Sequence, residues 1–221
     1  LTLSVEGKDA WSLKSTLSFD LHYQDATEEE IEELAEYCES EFDRISDAAG
    51  YIPNDKIVIF IKKEKGFGSA QILKPKEMRS MKFDLNILQE RDRIYETVTL
   101  LISQLIISDI FGGSKVTSAV RLPQWFVYGA ALYIANYRAR RKISFDHVLS
   151  TPVGNLKKLR GMDAMVGGAK VFNCIESFNE SSVKNVINLT QILRDEKKAI
   201  SNTVGMNYES FLESCSFGPD Q

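Results

Sequence analysis

The stretch Ile94-Tyr95-Glu96-Thr97-Val98-Thr99-Leu100-Leu101-Ile102-Ser103-Gln104-Leu105-Ile106-Ile107-Ser108-Asp109-Ile110 limits what this chain can become. Residues 89–110 can form one helix, and nine apolar residues from Ile94 to Ile110 cover most of its girth. A helix apolar on nearly every side belongs inside a domain rather than on its surface. Gly112-Gly113 ends it. The apolar run is interrupted too often to span a bilayer, which needs about 18 or more consecutive apolar residues.

The preceding sequence supplies a sheet and one long helix to surround it. Residues 15–24 alternate, predicting a strand with Leu17, Phe19, Leu21 and Tyr23 on one face. Thr27 reads as an N-cap, and Glu28, Glu29 and Glu30 follow where the free amides of a first turn favour acids. Ile31, Leu34, Ala35, Cys38, Phe42 and Ile45 then recur at helical spacing up to Gly50. Residues 56–62 form the clearest strand, 63–68 read as a turn, and 80–87 offer another strand through Met81, Phe83 and Leu85.

Beyond residue 87 the pattern is helical. Pro123 introduces a second apolar helix, Trp125 to Tyr137, which runs into the basic stretch Arg138 to Lys142. Residues 151–168 carry Pro152, Gly154, Gly161, Gly167 and Gly168 and read as short turns. Helices are predicted over 169–179, 182–193 and 195–204, with a short one from Tyr208. Strands early and helices late give an α+β class. The expected organisation is a single domain with a sheet-rich part, 1–87, and a helical part, 88–221.

Several functions are excluded at this level. A formal charge of -4 gives no help in binding a phosphate backbone, so nucleic acid is not an expected partner. Gly66-Phe67-Gly68-Ser69 lacks phosphate-loop spacing, Gly161 to Gly168 follows no strand, and no Gly-x-Ser-x-Gly elbow occurs. The basic run reads as a solvated helix end and Glu28 to Glu33 as a solvated helix face. Cys38, Cys174 and Cys215 allow at most one bridge, and buried free thiols are the default expectation. The opening residues lack a signal peptide and a starting Met, which suggests a piece of a larger protein.

Two segments carry a family resemblance: Tyr95-Glu96-Thr97-Val98-Thr99 and Pro123-Gln124-Trp125-Phe126-Val127-Tyr128-Gly129-Ala130-Ala131-Leu132-Tyr133. The chain resembles the gluzincin-type, peptidase MA-like zinc peptidases. That family sets a small mixed sheet beside a buried helix bearing His-Glu-x-x-His. A second helix follows, often introduced by Pro-x-Trp-hydrophobic-x-Glu-Gly. The Asp55-Lys56 pair before a strand and the closing Asn207-Tyr208-Glu209-Ser210-Phe211 extend the resemblance over most of the chain. The implied fold is zincin-like.

Residues i and i+4 share a helix face, so two histidines there grip one zinc ion while a carboxylate between them takes a proton from its water. The resemblance places Tyr95 and Thr99 at the two histidine positions and Tyr128 at the third-ligand position. Glu96 remains at the general-base position. A threonine hydroxyl is a poor zinc ligand, and a phenol has a pKa of about 10. His22 and His147 belong to a strand and a loop, with no reason to converge there.

The resemblance therefore implies an inactive homologue with no catalytic residues, no metal and no cofactor. Glu96, Trp125 and Tyr133 are its candidate cleft residues. The expected role is structural, or binding of a protein or peptide partner, with strand addition at the sheet edge as one mode. The alternative is a hydrolase of altered, metal-free mechanism using Glu96 and nearby tyrosines. As in related domains of exported Bacteroidetes proteins, an extracytoplasmic location and neighbouring domains are expected, without a transmembrane segment.

Overall fold

Thr27 and Glu30 close a reciprocal cap at the start of helix α1 (Glu28–Ala49). The Glu30 amide donates to Thr27 Oγ1 at 3.2 Å, and the Thr27 amide donates to Glu30 Oε2 at 2.9 Å. This pairing satisfies backbone donors that a helix start leaves without partners. The computed structural model describes residues 11–62, 71–73, 80–84, 91–112, 122–135 and 156–215. At the other end of α1, Gly50 takes φ +67°, a left-handed value that costs glycine no Cβ clash. Between the caps, Ile31, Leu34, Ala35, Cys38, Phe42 and Ile45 are all buried, as their spacing predicts.

Among the described residues the sheet has five strands: β1 (Ser12–Ser15), β2 (Phe19–Gln24), β3 (Ile57–Lys62), β4 (Gln71–Leu73) and β5 (Ser80–Asp84). Their order is β1-β2-β3-β5-β4; β2, β3 and β5 run parallel, and the edge strands β1 and β4 pair antiparallel. On one face Phe19 and Leu21 of β2 stand beside Ile57 and Ile59 of β3, all essentially inaccessible. The Phe42 ring of α1 packs edge-on to Phe19, with centroids 5.7 Å apart. On the other face His22 stacks on Phe60.

The strand expected over 15–24 is in fact the end of one strand, a turn and a second strand. Thr16 makes the turn: its amide donates to the Phe19 carbonyl at 2.8 Å, and its hydroxyl accepts from the Phe19 amide at 3.1 Å. A hydroxyl that bonds to nearby backbone offers the chain an alternative to continuing a strand. Glu39 of α1 fastens the turn by accepting from the Thr16 hydroxyl and the Ser18 amide. Leu17, expected on the inward face, is instead 87% exposed at the turn. Strand β4 had no periodic signal because three residues are too few to show one. Strand β5 is described as far as Asp84; residues 85–87, the expected turn at 63–68, the basic run Arg138 to Lys142 and His147 lie outside the described residues.

Helix α2 is described over Arg91–Gly112, and Gly113, the second of the expected stop pair, lies outside the described residues. Val98, Ile102, Ile106 and Ile107 are fully buried, and so is Ser103. The chain divides into two compact units, Leu1–Ser46 with Ile52–Leu105, and Asp47–Tyr51 with Ile106–Gln221. The division therefore falls within α1 and α2, whereas composition suggests a change after residue 87.

In the second unit, α3 (Gln124–Ile134) is followed by a 3-10 turn (Leu156–Lys158), α4 (Gly161–Glu176), α5 (Ser182–Leu193), α6 (Glu196–Val204) and α7 (Tyr208–Ser214). Of the glycine-punctuated stretch read as turns, 151–155 lie outside the described residues and 161–168 are helix, and the reason lies in the packing. A Cβ on Gly168 would stand 1.7 Å from the Trp125 carbonyl oxygen, and one on Gly129 would stand 2.4 Å from Gly168 Cα. Helices α3 and α4 thus cross backbone to backbone, which only glycine permits. Asp195 caps α6 by accepting from the Lys198 amide, and Asn207 caps α7 by accepting from the Ser210 amide.

Cys174 on α4 is bonded to Cys215, 41 positions later in sequence, with Cα atoms 5.9 Å apart. This corrects the expectation of free thiols for two of the three cysteines; only Cys38 is free, and it is buried. By loop entropy alone, a bridge of this span stabilises by about 4 kcal/mol.

Candidate functional site

The face that α2 turns toward α1 within the first unit carries Tyr95 and Thr99, one helical turn apart. From α1 it meets Tyr37 and Glu41, also one turn apart. The Tyr37 and Tyr95 rings pack with centroids 4.3 Å apart. The single proton of the Tyr37 phenol lies between Thr99 Oγ1 at 2.5 Å and the Tyr95 carbonyl at 3.2 Å. Thr99 Oγ1 in turn donates to Glu41 Oε2 at 2.9 Å. Arg44, three residues along α1, donates to the same carboxylate oxygen at 2.8 Å.

Burial gives this relay its weight. Thr99 and Glu41 are each 3% exposed. A carboxylate at that depth is tolerated when a cation and hydrogen-bond donors satisfy it, and here Arg44 and Thr99 do so. Neighbouring hydrogen bonds in a medium of low polarity strengthen one another. Beside the relay, Cys38 is fully buried; desolvation first, then the Glu39 and Glu41 charges, hold its thiol far above the usual range. It is an inert core residue rather than a nucleophile.

The other expected positions are distributed as follows. Glu96 is half-buried. Trp125 is only 2% exposed and sets its ring edge-on to Phe126, so it serves as core. Tyr133 is half-buried, with its ring 6.1 Å from that of Phe172 on α4. Tyr128, in the second unit, is 37% exposed. Beside the start of α3 lies an open hollow of about 290 Å³, walled by Leu122, Pro123, Leu156 and Leu159 with Gln124 and Arg160 at hand. Among the described residues it presents an apolar surface and one guanidinium, without an acid–base pair.

No protein-family model matches this chain, and none of the curated proteins compared with it matches. The chemistry of the site therefore rests on its own residues. Zinc, which the family resemblance would imply, does not fit the donors on α2. The Thr99 hydroxyl is already committed to a carboxylate and a phenol, and an unionised tyrosine is a poor ligand.

Sequence reading missed Tyr37, Glu41 and Arg44. One signal was present: Leu34, Cys38, Glu41 and Ile45 follow spacings of four, three and four, which puts a carboxylate inside an apolar stripe. A charge there demands a partner from the element packed against it. Among the described residues no helix is long and apolar enough to cross a membrane.

Proposed function

We propose that this chain is a zincin-like domain without catalytic activity, serving as a structural or protein-interaction module. The observation that carries the reading is the Thr99 hydroxyl. It stands where the resemblance puts a zinc-binding histidine, and it is held between Tyr37 and Glu41, its one proton given to the carboxylate. A position freed from holding metal has become a polar pin between two helices. The order of elements supports the same reading: a mixed sheet, then the buried helix with Glu96, then the helix opened by Pro123.

The Cys174–Cys215 bridge supports an extracytoplasmic home, since such bonds persist in oxidising compartments. A protein or peptide is the proposed partner, and no cofactor is needed for the role. The test is elemental analysis of the purified chain together with thermal melts in the presence and absence of a chelator. The reading expects less than about a tenth of an equivalent of zinc and an unshifted melting temperature, because a metal bound to the native state would raise it by mass action. Stoichiometric zinc lost to the chelator with a fall in melting temperature contradicts it.

A further inference from the structure

Helix α7 is seven residues long, and the residue after it, Cys215, is bonded to Cys174 on α4. Seven residues are well under the roughly 12–15 at which an isolated helix holds in water. Its noncovalent hold rests chiefly on Tyr208, Phe211 and Leu212, which are 4%, 0% and 0% exposed. The Phe211 ring packs 5.9 Å from that of Phe178. Glu209, Ser210, Glu213 and Ser214 face water. Burial of three side chains against the ordering of a whole short helix is a near balance, so the covalent tie decides whether the helix stays docked.

Both bridged cysteines are half-buried, within reach of an attacking thiolate. Lys170 lies one turn before Cys174 on the same helix, is 6% exposed, and makes no hydrogen bond or ion pair with the described residues. The four-residue spacing puts Lys170 and Cys174 on one face of α4.

We propose that the Cys174–Cys215 bridge is a redox latch. Reduction by a dithiol releases α7 and bares the apolar surface shared by Phe178, Tyr208, Phe211 and Leu212, while the helices around it stay folded. One thiolate of the dithiol attacks Cys215 Sγ, forming a mixed disulfide and expelling Cys174 as the thiolate. The second thiolate of the dithiol then displaces Cys215 and leaves as the oxidised reductant. Two electrons and two protons pass to the cysteine pair, and a disulfide oxidant reverses the exchange.

The test is hydrogen exchange on the 221-residue chain, oxidised and then held in dithiothreitol, beside a Cys174→Ser/Cys215→Ser variant. The latch predicts that amides of Tyr208–Ser214 lose at least about tenfold of their protection on reduction. Those of α4 and α5 keep theirs, and the double variant matches the reduced chain. Unchanged protection in α7 overturns the latch, because the buried side chains alone would then hold the helix. Loss of protection throughout α4 and α5 overturns it too, because the bridge would then be a staple for the whole packing.

Discussion

Thr99 Oγ1 donates to Glu41 Oε2 at 2.9 Å, joining two helices through residues 58 apart in sequence. Replacing Thr99 by Val keeps the shape and removes the hydroxyl. Glu41 then loses one of its donors and keeps Arg44, Tyr37 loses the nearer of its partners, and a hydrogen bond to a charged group is worth about 1.5–3 kcal/mol. Thr99→Val is expected to lose that much in denaturant melts. Thr99→Ser, which keeps the hydroxyl and drops one methyl, is expected to lose about 1 kcal/mol or less.

The α3–α4 crossing sets a second expectation. Gly168→Ala forces a methyl against the Trp125 carbonyl oxygen, a backbone atom that cannot swing aside. Overpacking of this kind costs about 1–3 kcal/mol or more. Gly129→Ala meets the Gly168 backbone and should behave alike. At Gly161 a Cβ meets nothing within 4 Å, so Gly161→Ala pays only for its φ of +55°. Thermal melts of the three variants should separate the first two clearly from the third.

Lys170 gives a pH dependence with a definite sign. Burial, with no partner among the described residues, pushes its ammonium below the ordinary value of 10.5. The folded state therefore binds the proton more weakly than the unfolded chain, and the charge destabilises at neutral pH. That penalty lifts as pH rises through the lowered folded value toward 10.5. Lys170→Met is expected to be more stable than the parent at pH 7, with the gap closing toward alkaline pH. Paired urea melts across that range check both the sign and the window; a gap that widens with pH contradicts it.

Much of the fold was legible because local chemistry and packing agree. The Thr27 cap, the apolar stripe of α1 and the Gly50 stop are all written in consecutive residues. The errors lie where one residue type serves two purposes. Glycine breaks helices and also lets them touch, so Gly167 and Gly168 read as a turn until Gly129 is set against them. Alternation runs on through Thr16, Leu17 and Ser18, so the hairpin looked like one strand until the Thr16 bonds were seen. Pairing of Cys174 with Cys215 cannot be read from spacing. At the candidate site, Glu41 was missed although a charge within an apolar stripe is a readable signal. Tyr37 carried no such signal, because its partner Thr99 is 62 residues away and only the packing of α2 on α1 brings them together.

We propose that Thr99, at the position where the resemblance puts a metal ligand, serves as a hydrogen-bonded pin. Calorimetric titration of zinc into the parent chain tests it most directly, with a Tyr95→His/Thr99→His variant alongside. The account predicts no saturable heat from the parent at micromolar zinc. The variant, with two imidazoles one helical turn apart, should gain measurable affinity and lose stability, because its Glu41 and Tyr37 partners are gone. Saturable binding of one equivalent of zinc by the parent would contradict the account.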